Sequence, residues 1–308
     1  MKPGDAKLTA PPVRVRGTRQ YLAQGGKPFC SVVVDPAAGE KALAAAWLLR
    51  DTLERMTGAP IPLFSVEERP AGARLLVGDT PQARAWKLHV PQEYPGKERY
   101  RITRKGTDLV LAGNDAGTYQ GTRAAVCEFL RRQGCGWFGD DPLWQVIPSR
   151  PALAISAMNV SVTPPLALRS IWYVPRTIGE KWGLQGDVVE AQHNLSNIIP
   201  PALFAAHPEY FPLINGKRTA EGEFQICTTH PEVIKLSVDA ARNAFDANPN
   251  LVAFSLSNND CGGFCTCPDC QTVRGTAGNQ HANAMLQYAN AVATELRTTH
   301  PTARVVFL

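Results

Sequence analysis

Residues 251–256, LVAFSL, form a near-continuous apolar run. A strand with one wet face alternates apolar and polar positions. A run without alternation has to be covered on both faces, as in a parallel sheet packed between helices. Its flanks agree. Upstream, TTHPEVIKLSVDAARNAF predicts a helix with Ile234, Val238, Ala241 and Phe245 on one face, Pro231 in its first turn and a capping box from Thr229 to Glu232. Downstream, a helical pattern over 281–299 places Met285, Ala289, Val292 and Leu296 on one face, and RVVFL follows as the next strand. Strand, helix and strand in succession build a parallel barrel or a doubly wound sheet. Two more strands are expected before this stretch, LALRSIWY at 166–173 and LSNIIPP at 195–201.

The first half of the chain follows a similar logic. FCSVVV (29–34) and ARLLVGD (73–79) read as strands. Between them, 39–58 reads as a helix with Ala46, Leu49, Leu53 and Met56 on one face and Gly58 as its stop. Residues 99–113 read as a hairpin turning at Lys105, Gly106 and Thr107. Asp115 is expected to cap a helix running to about Gln133, with Tyr119, Val126 and Leu130 on one face and Gly134 ending it. CGWF and WQVIP look like short closing strands. This gives an α/β unit over 28–158. Pro164 and Pro165 break the pattern, and a second unit is expected over 165–308. The final run RVVFL has no turn after it, so the chain reads as a fragment.

Composition excludes several classes. The net charge of +5 comes from 32 basic and 27 acidic residues that are scattered, and nucleic-acid binding needs a clustered basic footprint. No run approaches the roughly 18 apolar residues of a membrane span. The N-terminus, MKPGDAKLTAPPVRVRG, has no apolar segment of the signal-peptide kind. Eight cysteines fit a reducing compartment with a metal or an oxidising one with disulfides, so localisation stays open.

In parallel α/β folds chemistry gathers where strands end. The first expected strand of the second unit carries Arg169 and ends near Trp172 and Tyr173; the second is preceded by His193 and Asn194. LVAFSL runs into Ser257, Asn258, Asn259 and Asp260. Planar hydrogen-bonding groups and aromatic faces suit a polyhydroxylated ligand, and an Asp at a strand end suits general acid or base chemistry. Each also has a structural reading: Asp260 and Asn194 as turn stabilisers, Arg169 as an ion-pair partner, Trp172 as core, His193 as a loop contact.

Asp260 and the four cysteines Cys261, Cys265, Cys267 and Cys270 fall within eleven residues. CPDC resembles one arm of a zinc knuckle, and a tetrahedral site would be completed by Cys227, with Cys261 as another candidate ligand. Disulfides, for example from Cys227 into the cluster, are the competing reading. A bridge between Cys265 and Cys267 is disfavoured, because side chains two apart in extended chain diverge. An all-cysteine site leaves no open position, which argues against a catalytic zinc and leaves a structural metal, disulfides or free thiols as the readings. Cys30, Cys127 and Cys135 sit in apolar surroundings and read as core.

Two stretches resemble known families. Residues 115–155, DAGTYQGTRAAVCEFLRRQGCGWFGDDPLWQVIPSRPALAI, resemble the end of the N-terminal domain of family-67 α-glucuronidases and family-20 hexosaminidases. HPEYFPLINGKR, QICTTHPEV and FSLSNNDCGGFCTCPDCQ resemble a bacterial, glycoside-hydrolase-like family catalogued as domain of unknown function 4838. The resemblance implies an N-terminal α/β domain followed by an incomplete (β/α)8 TIM barrel, about its first half, since a full barrel takes about 250 residues. It implies a glycosidase acting on a carbohydrate, a uronic-acid-containing one among the candidates, by carboxylate acid/base chemistry. Asp260 is then the catalytic acid, with Arg169, Trp172, His193, Asn194 and Asn259 shaping the sugar site. The second carboxylate is expected beyond Leu308, which would leave this fragment inactive alone, and a secreted or periplasmic location fits the family. Hexosaminidases carry Asp-Glu where this chain has Asn259 and Asp260, which argues against acetamido-assisted chemistry. The rival readings are a carbohydrate-binding protein that kept the scaffold without hydrolysis, and a zinc-dependent interaction module.

Overall fold

The computed structural model describes residues 19–308 except 69, 172, 185, 187–190, 223, 277–279 and 308. It is a mixed α/β chain that divides between residues 187 and 188 into two units, each with its own core.

In the first unit, six strands form one sheet in the order Asn159–Val162, Tyr100–Lys105, Asp108–Gly113, Ala73–Val77, Cys30–Val34 and Leu63–Ser65. The last four of these are mutually parallel. The expected hairpin joins Tyr100–Lys105 to Asp108–Gly113, and Asn159–Val162 adds an antiparallel edge. Burial explains the lack of alternation in the central strands. Val32, Val34, Leu75, Val77, Leu109 and Leu111 face helices Glu40–Thr57 and Gly121–Arg132. Their neighbours Val33, Leu76, Val110 and Ala112 enter a smaller core with Ala83 and Val90 on the other face. Residues 145–146 and 136–137 pair as the short closing strands. Gly58 ends its helix in the left-handed conformation, as expected.

Helix Gly121–Arg132 begins later than the expected cap at Asp115. Asp115 still caps it through space: its Oδ1 accepts from Thr122 N at 2.9 Å. The turn between them is possible because strand end and helix start nearly touch. A Cβ added to Gly113 would lie 2.0 Å from the carbonyl carbon of Gly121, so one of two backbones would have to move. Gly113→Ala is expected to cost about 2–3 kcal/mol by overpacking, read as a lowered urea midpoint with an unchanged slope.

The second unit is built on helices Pro231–Ala247 and Gln280–Leu296. Val233, Val238, Met285, Tyr288, Ala289 and Val292 pack with Leu195, Ile199, Phe211, Phe224, Ile226 and Leu256. Within this core Ser237 Oγ and the Tyr288 hydroxyl share a hydrogen bond of 2.6 Å. Strand Ala253–Ser255 pairs in parallel with Arg304–Val306 across the Gln280–Leu296 connection. On the opposite edge His193 forms an isolated parallel bridge with Ser257. Leu256 N donates to Val306 O (2.7 Å) on one side, and Ser257 O accepts from Asn194 N (3.1 Å) on the other. Among the described residues no closed barrel forms, and no helix is long and apolar enough to cross a membrane.

Three local expectations are corrected. Among the described residues of 166–173 no strand forms: Leu168 makes an isolated antiparallel bridge, to Gly186, and Leu166 and Ile171 are exposed, so no second sheet layer rewards their extension. Residues 195–201 are not a strand either. Leu195–Ile198 is a helical turn, and Pro201–Leu203 is a 3-10 turn. Pro200 and Pro201 cannot donate to a ladder, and the preceding residues 192–194 take the place beside the central strand. The Thr229–Glu232 capping box is not made either. The cap position of helix Pro231–Ala247 is His230, and no side-chain bond closes it. Thr229 turns instead toward Cys270, at 3.1 Å between Oγ1 and Sγ.

Candidate functional site

The second unit brings His193, Asn194, Asn259 and Asp260 to the carboxyl end of its parallel strands. Ser255 Oγ donates to Gln192 O at 2.6 Å, and Asn194 Nδ2 donates to Ser255 O at 2.9 Å, which lashes residues 192–194 to the central strand. His193 Nδ1 lies in hydrogen-bond contact with the carbonyl oxygen of Asn258. A carbonyl only accepts, so that nitrogen carries a proton, and the ring is exposed. Asn259 donates both amide hydrogens inward, to Ser196 Oγ (2.8 Å) and Phe224 O (2.6 Å). Among the described residues no hydrogen bond reaches its Oδ1.

Asp260 is exposed, and among the described residues no hydrogen bond or ion pair holds its carboxylate. The backbone around it is held. Gln225, 1% exposed, donates Nε2 to Asn259 O (2.7 Å) and Cys261 O (2.9 Å), and its Oε1 accepts from Asn259 N (3.1 Å). One buried amide thus pins the chain on both sides of the acid. Gln225→Ala is expected to cost about 2–3 kcal/mol, from lost hydrogen bonds and unpaired backbone groups. Amide exchange across 258–262 should rise with it. Unchanged exchange there would show that the loop is held by other contacts.

Beside this loop four buried sulfurs converge. The Sγ atoms of Cys227, Cys265, Cys267 and Cys270 all lie within 4.8 Å of one another. Cys227 precedes helix Pro231–Ala247, while Cys267 caps helix Pro268–Arg274 with Pro268 at its first position and Cys270 in its first turn. Hydrogen bonds from Cys265 and Cys270 pull the Cys227 thiol well below its ordinary range, and the same contacts raise Cys265 and Cys270. Cys261 is half-buried and stands outside this group, its Sγ 3.3 Å from Gln225 Nε2. In the first unit, burial pushes Cys30 up to about 12 and Cys127 and Cys135 up to about 11, which keeps them protonated core thiols.

Arg169 belongs to the first unit and makes three contacts there. Its Nε donates to Gly183 O (2.8 Å), Nη1 to Leu166 O (2.5 Å), and Nη2 pairs with the Glu98 carboxylate. Glu98 also accepts from Gln120 N at 2.8 Å. Trp172 lies outside the described residues.

Several residues that build the site were not singled out by the sequence: Gln225, Ser196, Arg218 and, in its actual role, Thr229. Gln225 and Thr229 sit two positions either side of Cys227 in QICTT, and Arg218 closes NGKR. Proximity to the cysteine motif was the available signal.

Comparison with solved structures finds distant likenesses. A mutant β-hexosaminidase from Streptomyces plicatus with product GlcNAc is 14% identical over 94% of this chain and 62% of its own, with a TM-score of 0.42. A chitobiase from Flavobacterium johnsoniae is 10% identical over 96% of this chain and 50% of its own, at 0.39. Another S. plicatus mutant structure is 20% identical over 50% of this chain and 25% of its own, at 0.31. The chain therefore spans 25% to 62% of the length of these proteins. No curated protein matches it. Over residues 141–308, more than half of its length, the chain matches the family described as a domain of unknown function, DUF4838, and it belongs to that family.

Proposed function

We propose that this protein is glycoside-hydrolase-like and acts on a carbohydrate, with the opening strands of a (β/α)8 barrel in its second unit. One observation supports this above the others. Residues 192–194, Ala253–Ser255 and Arg304–Val306 lie side by side in parallel, and their ends carry His193, Asn259 and Asp260. That is the end of a parallel sheet where α/β enzymes hold their chemistry. Asp260 is assigned the general acid that protonates the glycosidic oxygen as the bond to the anomeric carbon breaks. His193 Nε2 and Asn259 Oδ1 are assigned to sugar hydroxyls. The likeness of residues 115–155 to α-glucuronidases makes uronic-acid-containing oligosaccharides the first substrates to test.

A binding protein without hydrolysis is the second reading, favoured by Asn259 standing where hexosaminidases place a carboxylate. The protein, incubated with a panel of aryl glycosides and uronic-acid oligosaccharides, separates the two. Release of aglycone or reducing sugar supports the enzyme. Saturable sugar binding by calorimetry without release supports the binding protein. Neither on any sugar removes the carbohydrate reading.

A further inference from the structure

We propose that Cys227, Cys265, Cys267 and Cys270 bind one structural zinc ion, which clamps the loop carrying Asp260 to the base of helix Pro231–Ala247. The geometry carries this. Cys227 Sγ lies 3.7 Å from Cys267 Sγ and 3.8 Å from Cys270 Sγ. A Zn–S bond of about 2.3 Å in a tetrahedron requires sulfurs about 3.8 Å apart. A disulfide requires about 2.0 Å, and no such bond is present among the described cysteines. Four thiolates this close are too tightly grouped to bracket a multi-iron cluster, whose bridging sulfides would hold them further apart. With all four corners filled by protein, no position is left for substrate, so the ion is structural.

The surroundings match what thiolates on a metal need. Leu213 N and Cys267 N point at Cys265 Sγ at 3.3 and 3.5 Å, and Arg218 Nη1 at 3.6 Å. Thr229 Oγ1 reaches Cys270 Sγ at 3.1 Å. Donors of this kind spread the charge of the sulfurs and fix their orientation. The Arg218 cation offsets part of the −2 charge that four thiolates and one Zn2+ leave. Thr229 gives up the capping box expected of it to make its contact. The ion would join three segments distant in sequence: the 213–218 hairpin through its donors, residue 227, and residues 265–270. Asp260 lies five residues before Cys265, so the clamp on one side and Gln225 on the other would hold its loop.

The test is metal analysis of the full chain, purified under reducing conditions without chelator and supplied with zinc alone. About one zinc per chain is expected, together with eight titratable thiols after denaturation and metal removal. Cobalt exchanged into the site should show thiolate-to-metal charge transfer and the intense visible bands of a tetrahedral ion. Cys267→Ser should lose the metal, whereas Cys261→Ser should keep it. Because Cys267→Ser risks misfolding, chelation of the unaltered protein supplies a second readout: amide exchange over 258–270 should rise while that of strand Cys30–Val34 stays unchanged. No uptake of zinc or cobalt by the reduced chain overturns the proposal. So does a mass and thiol count showing two disulfides. Iron in place of zinc overturns the identity of the ion. None of these outcomes bears on sugar turnover, so the clamp and the carbohydrate reading fail separately.

Discussion

Under the proposed glycosidase reading, Asp260→Asn is expected to lower glycoside turnover by about 10²- to 10⁴-fold, the usual worth of a positioned general acid. Sugar affinity should stay within a few-fold. Asn keeps the shape and hydrogen-bonding capacity of the side chain but has no proton to deliver at neutral pH. Stability should hardly change, because the carboxylate is exposed and held by no bond or ion pair among the described residues. That separation is what makes the variant informative. Its unfolding midpoint and its sugar affinity report the scaffold, and its kcat reports the acid alone. An aglycone with a low leaving-group pKa, which needs little protonation, should lose less rate than a poor leaving group. Equal losses for both, or none, would remove Asp260 from the acid role.

Arg169→Ala is expected to destabilise the first unit by about 3–5 kcal/mol, the cost of breaking a buried ion pair on one side. The Glu98 side chain is 3% exposed and its partner 16%, so Glu98 would be left as an uncompensated charge away from water. The same change strips Gly183 O and Leu166 O of their donor, which loosens the 166–186 segment. Thermal unfolding should fall by roughly 10 °C. The pair Arg169→Met with Glu98→Gln should recover much of the loss, because the buried charge is then gone from both sides. Such recovery would identify the arginine as a structural partner. If instead the single variant leaves the unfolding midpoint in place and only raises KM for a sugar, the arginine serves the ligand.

The elements legible in the sequence were those whose pattern is set by burial of their own residues. Cys30–Val34 and Asp108–Gly113 are buried along their whole length, and an unbroken apolar run can mean little else. The helix faces at Leu49, Leu53 and Met56 and at Met285, Ala289 and Val292 follow from helical spacing alone. Segments 166–173 and 195–201 carry similar residues, yet neither extends, because extension also needs a neighbouring strand with free backbone groups. Leu168 finds one bridge, and the place beside Ala253–Ser255 goes to residues 192–194. Thr229 shows the same limit at smaller scale. Its distance from Glu232 fits a capping box, but a sulfur brought from more than thirty residues away competes for the hydroxyl and takes it.

Residue types and spacing therefore determined that this chain is mixed α/β, that Asp260 follows a buried strand, and that Cys265, Cys267 and Cys270 lie close enough together to act as a group. Local covalent geometry and burial periodicity suffice for that much. The tertiary structure alone decided that Cys227 and not Cys261 completes the sulfur cluster, that Gln225 pins the loop on both sides of the acid, and that Arg169 pairs with Glu98. Each of those depends on which atoms meet across long stretches of chain, and no local spacing records such a meeting.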